Sequence, residues 1–323
     1  MTPLWEDDFR DPELTLRRWA PMTLGSFVPD DADVHVTPEA GLRVAAGGTH
    51  PLTGEPAFTR TLGQENGDPS ALPGALDAVK WLVYADHSAS GGLPGFDAAE
   101  GEELLFEAWL SARTYGTAGH PFGSAVADPG TDWRLACAAM NVADVETGLA
   151  FDFFLTDQGI HAVHERLPML RPHLGDYASF TAVVPVARRE PEQEHRLGIG
   201  YDRSAGRVRW LVDGVEVHRA EHVGRVPGRE HVVLDHGGDD AEVEPRQLNC
   251  GLGLFTALDC SFGSGPGLVR LTGAPDFYFR AVDGRREPQV FLDDKSLRDH
   301  RLFGQGASLS VRRCTVSASR VTW

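Results

Sequence analysis

Between Leu149 and Leu155 the side chains alternate, with Leu149, Phe151, Phe153 and Leu155 on one side and Ala150, Asp152 and Phe154 on the other. A period of two marks a strand with one face in a core. Asp157-Gln158-Gly159 then predicts a reversal, so Val145–Pro168 (VETGLAFDFFLTDQGIHAVHERLP) reads as a β-hairpin. A two-residue turn at Gln158-Gly159 needs positive φ at Gln158, whereas a three-residue loop needs it only at Gly159, where it costs little. The three-residue loop is therefore expected. It sets Thr156 opposite Ile160, Phe154 opposite Ala162 and Asp152 opposite His164, and a slip of one residue would send every side chain to the other face.

The same period recurs along the chain. Short alternating runs at Val34–Val36, Leu42–Ala46, Phe58–Leu62 and Ala78–Tyr84 predict strands, as do Trp133–Val142, Phe180–Val186, His195–Tyr201, Val232–Leu234, Leu248–Leu258, Leu268–Leu271 and Leu309–Ala318. Turn signals at Asp202–Gly206 and Asp213-Gly214 predict a tight meander. Gly101–Thr114 is one of the longest strands expected. Its core face is Leu104, Phe106, Ala108, Leu110 and Ala112, and its other face presents Glu103, Leu105, Glu107, Trp109, Ser111 and Arg113. Trp5–Trp19 reads as an N-terminal segment whose aromatics cap a sheet, and Leu292–His300 as a helix with Asp293 or Asp294 as N-cap. Gln64–Leu76, His87–Ala99 and Tyr115–Thr131 are loops, the last long enough for a lid or rim. With no internal repeat and no linker, one all-β domain over residues 1–323 is expected.

Composition adds to this picture at three points. The 36 Gly and 21 Pro are spread as many short strands with many turns require. A formal charge of -17 repels phosphate backbones and excludes nucleic acid as a partner class. No apolar run is long enough for a membrane span and no basic-then-apolar leader opens the sequence, so a cytoplasmic protein without a membrane partner is expected. Cys137, Cys250, Cys260 and Cys314 are too few and too scattered for a disulfide framework and read as buried thiols, although Cys250 and Cys260 could bridge in an oxidising compartment.

Three sets of residues carry candidate chemistry. In the expected register Asp152 and His164 form an acid/base dyad, a pairing that is more often an ordinary cross-strand contact. On the long strand, Glu107 offers a second carboxylate, Trp109 a stacking surface, and Ser111 and Arg113 polar anchors; a solvated outer face would give the same pattern. Phe154 and Trp210 complete the ligand-binding candidates. His161 and His164 fall on opposite faces of a strand, which defeats joint metal coordination, and no metal site is expected there. The clusters Asp30-Asp31-Asp33 and Asp239-Asp240-Glu242-Glu244 fit structural calcium or, more commonly, exposed acidic loops. Neither a nucleotide fingerprint nor a nucleophile elbow is present, so no cofactor is expected.

The segment EHRLGIGYDRSAGRVRWLVDGVEVHR, together with the N-terminal DDF, Trp19 and the terminal SLSVRRCTV, resembles the concanavalin A-like lectin/glucanase superfamily, and the whole chain resembles an actinobacterial protein family. The resemblance implies a jelly-roll sandwich of two curved antiparallel sheets with long rim loops and a ligand on the concave face. It also places the catalytic strand of the laminarinase-like hydrolases at Phe151–Phe154. There the sequence departs from the Glu-Asp-Glu pattern, since Asp152 is the one carboxylate inside that strand. Glu146 lies six residues away, roughly 20 Å along a strand. Glu165 would come beside Asp152 only in another hairpin register.

Two functions follow as expectations. One is a cofactor-independent enzyme doing acid/base chemistry on a small, partly apolar metabolite, with specialised metabolism as the setting the family resemblance implies. The other is a carbohydrate-binding or glycoside-hydrolase-like protein without the usual catalytic strand, with a glycan as ligand. The sequence leaves substrate, reaction and oligomeric state open.

Overall fold

A computed structural model of the chain describes residues 3–64, 74–263, 265–282 and 285–320. Most of the loop expected at Gln64–Leu76 therefore lies outside the described residues. Within them the chain forms two large antiparallel sheets of eight and eleven strands. The smaller runs in the order Val215–Ala220, Arg207–Val212, His195–Asp202, Glu102–Tyr115, Gly306–Arg320, Gly41–Ala46 and Ala32–Thr37, with Trp5–Asp7 also on Gly306–Arg320. The larger is built around Val79–Ala85, Gln247–Phe255, Cys137–Asp144, Leu149–Leu155, Gly159–Arg166, Ser179–Arg188 and Val232–Gly237. Alternation decides what each strand buries. Phe106, Leu110, Ile199 and Trp210 from the smaller sheet share one core with Met140, Phe151, Phe153, Leu252 and Leu254 from the larger. Each such side chain contributes roughly 1.5–3 kcal/mol on burial. This is the expected all-β sandwich.

The larger sheet is apolar on its second face as well, where Cys137, Ala139, Phe154, Val163 and Val183 gather with Trp133, Phe277 and Phe291. Two glycines of NCGLGLF help to shape that face. A Cβ on Gly251 would meet the Tyr84 ring at 2.9 Å, and one on Gly253 would meet the Phe255 ring at 2.2 Å. Glycine therefore lets both rings approach the backbone closely.

The hairpin register differs from the expected one. Leu155 pairs with Ile160, Phe154 with His161, Asp152 with Val163, Phe151 with His164 and Ala150 with Glu165. The loop is Asp157-Gln158, one residue shorter than expected, and neither residue has positive φ. Thr156 N donates to Gly159 O at 3.0 Å, and Gly159 N donates to the Thr156 hydroxyl at 3.1 Å in place of its carbonyl. Distant groups hold this turn. Asp157 Oδ1 accepts from Thr114 N at 2.7 Å, Gln158 N donates to Gly130 O at 3.0 Å, and Arg189 Nη1 donates to Thr156 O at 2.6 Å. Local φ preference is worth about 1 kcal/mol, and several bonds of this kind outweigh it.

Other differences have similarly local causes. Pro12–Arg18 is a helix, started by Asp11, whose carboxylate accepts from Leu14 N at 3.1 Å, and by Pro12 in its first turn. At the expected C-terminal helix only Arg298–Arg301 is helical. Phe291–Asp293 pairs with Gly267–Val269, and the Asp293 carboxylate is taken by the backbone of Lys295 and Leu297. Phe58–Leu62 forms no strand, because Thr59 N and Arg60 N donate to the Asp31 carboxylate at 2.8 and 2.9 Å. That use of Asp31, with Asp30 paired to Arg60, occupies the first calcium candidate. The Asp213-Gly214 turn forms as expected, with φ of 53° and 82°. The four cysteines are buried and free.

Candidate functional site

The register change moves the candidate chemistry. Asp152 and Val163 are directly paired, and Glu165, two residues beyond Val163, projects from the same face as Asp152. That face is the one away from the sandwich core, and both carboxyls open into a cleft of about 180 Å³. His164 is on the opposite face, its ring 5.3 Å from Phe151 and 5.1 Å from Phe180, with no protein partner for either ring nitrogen. The Asp152–His164 dyad is therefore not formed. Asp152 has Glu165 as its acid/base neighbour.

Five strands supply the floor of the cleft. Tyr84 comes from Val79–Ala85, Asn141 from Cys137–Asp144, Asp152 and Phe154 from Leu149–Leu155, Glu165 from Gly159–Arg166 and Thr181 from Ser179–Arg188. Trp133, Phe255 and Phe277 add aromatic wall, with Trp133 and Phe255 about 6 Å from Phe154, at 6.0 and 5.9 Å. Trp133 precedes the strand expected to begin there. It is fixed by a buried ion pair between its neighbours, Arg134 Nη2 and Asp132 Oδ2 at 2.6 Å. The rim at Ala75–Ala78 is fixed likewise: Asp77, 2% exposed, bonds Leu62 N at 2.6 Å and pairs with Arg301 at 2.9 Å and Lys80 at 3.3 Å.

The electrostatics of the cleft follow from burial without a counter-cation, since no Lys or Arg lines it among the described residues. Burial, then the Glu165 carboxyl, hold Asp152 well above the usual carboxylate range, against a hydrogen bond from the Asn141 amide. Burial lifts Glu165 to about 7, although the Thr181 hydroxyl donates to it at 2.7 Å. Asp259, which accepts from Tyr278 Oη at 2.9 Å, is raised to about 6, again mainly by burial. His236 is held down to about 4 by burial, and its Nδ1 lies 2.8 Å from the Phe277 carbonyl. A carbonyl only accepts, so Nδ1 carries the proton and Nε2 is the free acceptor. Asn141 Oδ1 and Thr256 Oγ1 are buried with no protein partner.

The other expected site residues are elsewhere. Glu107, Trp109, Ser111 and Arg113 do share a face, but it is the outer face of the smaller sheet, across the core from Asp152. There Arg196 Nη2 pairs with Glu107 at 2.6 Å, and the Arg196 and Arg313 guanidiniums flank Trp109 at 5.2 and 5.3 Å. Ser111 and Arg113 line a polar depression in which Arg113 is paired with Glu55 and Glu192. Trp210 is fully buried in the core, donating from Nε1 to the Asp152 carbonyl at 2.9 Å, and has no ligand-facing surface. Phe154 lines the cleft. Asn141, Thr181, His236 and Asp259 escape the sequence reading; a polar residue within an otherwise apolar strand is a signal for Asn141 and Thr181, but His236 follows Asp235 directly and Asp259 is in a turn outside any strand. Among the described residues no group of three or more His, Cys, Asp or Glu is arranged to hold a metal, and no helix is long and apolar enough to cross a membrane.

The fold is a sandwich of two large antiparallel sheets, and its acidic, aromatic-walled cleft is on the outer face of the larger one. The chain belongs to the Family of unknown function (DUF6081), which it matches over residues 6–320. Uncharacterized protein L829 of Acanthamoeba polyphaga mimivirus is 28% identical over a match covering 40% of this chain and 42% of that protein, less than half of the relative's length. Among solved structures, a β-glucanase of Bacillus licheniformis aligns over 97% of both chains with 8% identity and a TM-score of 0.41. The apo form of Crh5 transglycosylase aligns over 97% of this chain and 83% of its own, with 13% identity and a TM-score of 0.40. Alginate lyase AlgAT5, from polysaccharide lyase family 7, covers 94% and 96% at 8% identity and a TM-score of 0.40. Likeness at this level carries nothing about the chemistry of this chain.

Proposed function

We propose that the cleft is the active site of a cofactor-independent enzyme doing acid/base chemistry on a small, partly apolar molecule, with Asp152 and Glu165 as the working pair. The observation that carries this reading is two carboxyls on one sheet face, enclosed by aromatic and aliphatic walls, where burial pushes Glu165 up to about 7. Two such groups share protons near neutral pH, so one can donate while the other accepts. Asn141 orients Asp152 and Thr181 orients Glu165 through their hydrogen bonds. The cleft is smaller than the roughly 300–1,000 Å³ of drug-sized sites, which favours a compact substrate over a polymer strand.

A glycoside-directed reading draws support from the same pair, because glycosidases set two carboxyls across the scissile bond at roughly 5–9.5 Å. One experiment addresses both. The full chain is screened for turnover of chromogenic monosaccharide glycosides and of small aryl substrates open to elimination or isomerisation, beside Asp152→Asn and Glu165→Gln variants shown to fold by thermal melting. Both variants should lose at least about 100-fold in turnover, the usual worth of an acid/base group. Full turnover in either one removes the pair from the chemistry.

A further inference from the structure

The polar groups of the cleft are one-sided. Asp152, Glu165 and Asp259 are carboxyls, His236 presents an acceptor nitrogen, and Asn141 Oδ1, on a residue 5% exposed, has no donor. Of the donors, the Thr181 hydroxyl is used on Glu165 and the Asn141 amide on Asp152, and the Thr256 hydroxyl, without a protein partner, is the exception. Around these acceptors stand the rings of Tyr84, Trp133, Phe154, Phe255 and Phe277. Ring faces attract cations, and more strongly when the cation is desolvated. No Lys or Arg among the described lining residues supplies that cation from within.

We propose that the ligand of this cleft is an organic cation, a protonated amine or related ammonium of about one ring in size, held by the Asp152–Glu165 pair and the surrounding ring faces. The inference rests on reading this cleft as the functional site and goes beyond it by naming the charge of the substrate. Binding should be coupled to proton release. With no cation present, burial favours the protonated forms of the two carboxyls, and the neighbouring Glu165 carboxyl adds to this at Asp152. An ammonium group between them favours the ionised forms, so the carboxyl proton leaves to solvent as the ligand N–H groups take over. The other titratable groups facing the pair are Tyr84, Cys137, His236, Asp259 and Cys260. Burial raises the first two and the last two and lowers His236, so Tyr84, Cys137, His236 and Cys260 enter the event uncharged near neutral pH, while Asp259, at about 6, is mostly ionised at pH 7 and adds to the negative charge a cation meets.

The test is calorimetric binding of three probes of one shape to the full chain at pH 7: benzylammonium, benzyl alcohol and benzoate. Proton release is followed with phenol red in weakly buffered solution. Benzylammonium should bind about tenfold or more tightly than benzyl alcohol, the range a desolvated cation–π contact and a charge pair supply. Benzoate should bind more weakly than either, and only benzylammonium should release protons. In Asp152→Asn/Glu165→Gln the cation preference should vanish while benzyl alcohol still binds. Should the double variant fail to melt cooperatively, Glu165→Gln alone should reduce the preference. The proposal is overturned if benzyl alcohol or benzoate binds as well as benzylammonium, if benzylammonium does not bind, or if its preference persists without the carboxyls. Turnover by the wild type and the single variants reads the catalytic assignment separately. A cleft that prefers the cation without turning anything over sinks the enzyme and leaves this inference standing.

Discussion

Asp152 and Glu165 share one face of the larger sheet because Asp152 pairs with Val163, two residues before Glu165. Diagonal neighbours of this kind lie about 7–8 Å apart, close enough for long side chains to interact. Both carboxyls are raised mainly by burial, and the Glu165 carboxyl is the second largest cause for Asp152. The pair is the centre of the cleft and of the predictions that follow.

The contribution of Glu165 to stability should fall as pH rises to neutrality. A carboxyl raised to about 7 stays protonated in the fold over a range, from its ordinary 4.5 upward, in which the unfolded chain has already released the proton. Its contribution is therefore complete below about 4.5 and is lost as pH passes 7, at no more than about 1.4 kcal/mol per pH unit. Urea denaturation at pH 5, 6, 7 and 8 checks this. Glu165→Gln should gain on the wild type with each step, and parallel curves for the two proteins would refute it.

His164 should be dispensable for activity. Burial, and His218 beside it, hold its pKa down to about 3, so the fold keeps the ring neutral while the unfolded chain protonates it below about 6.5. That costs the native state stability as pH falls through 6.5. His164→Leu removes a buried ring with no protein partner and should leave turnover within twofold. It should also be more stable than the wild type at pH 5 by about 1–2 kcal/mol. Loss of turnover at unchanged folding would restore the histidine to the chemistry.

The two sheet faces should separate cleanly in mutagenesis. Glu107→Gln, Trp109→Ala and Arg113→Ala act on the far side of the core and should leave ligand affinity in the cleft unchanged, with stability losses within about 1 kcal/mol for each surface ion pair removed. Trp210→Phe should cost more, about 1–3 kcal/mol, from the lost hydrogen bond to the Asp152 carbonyl and the space left behind. Equilibrium melting with parallel ligand titration distinguishes the two sets.

Asp77→Ala should be among the most damaging single substitutions. It leaves buried Lys80 and Arg301 without their shared carboxylate, a loss of about 3–5 kcal/mol for a broken buried pair. The rim of the cleft at Ala75–Ala78 rides on that network, so surviving protein should also bind ligand more weakly. Wild-type stability in the variant would show that the network is not needed.

Much of this architecture could be read from alternation alone. Phe106 and Leu110, or Phe151 and Phe153, are two apart and apolar, and all four are in the shared core. The Asp11-Pro12 start of the N-terminal helix was equally legible but was masked by the surrounding Trp and Phe residues. The cleft was legible only in part, as Asp152 and Phe154 on the right strand. Asn141, Thr181, His236 and Asp259 reach it from four other segments, and no local pattern relates them.

What the sequence determined by itself was the period: which side chains of each strand go together, hence an all-β sandwich with Asp152 and Phe154 on the same side. The tertiary structure decided the register, and with it whether Asp152 meets His164 or Glu165. The physical reason lies in the turn. Local preference between a two- and a three-residue loop amounts to about 1 kcal/mol. Thr114, Gly130 and Arg189, all distant in sequence, supply the hydrogen bonds that select Asp157-Gln158.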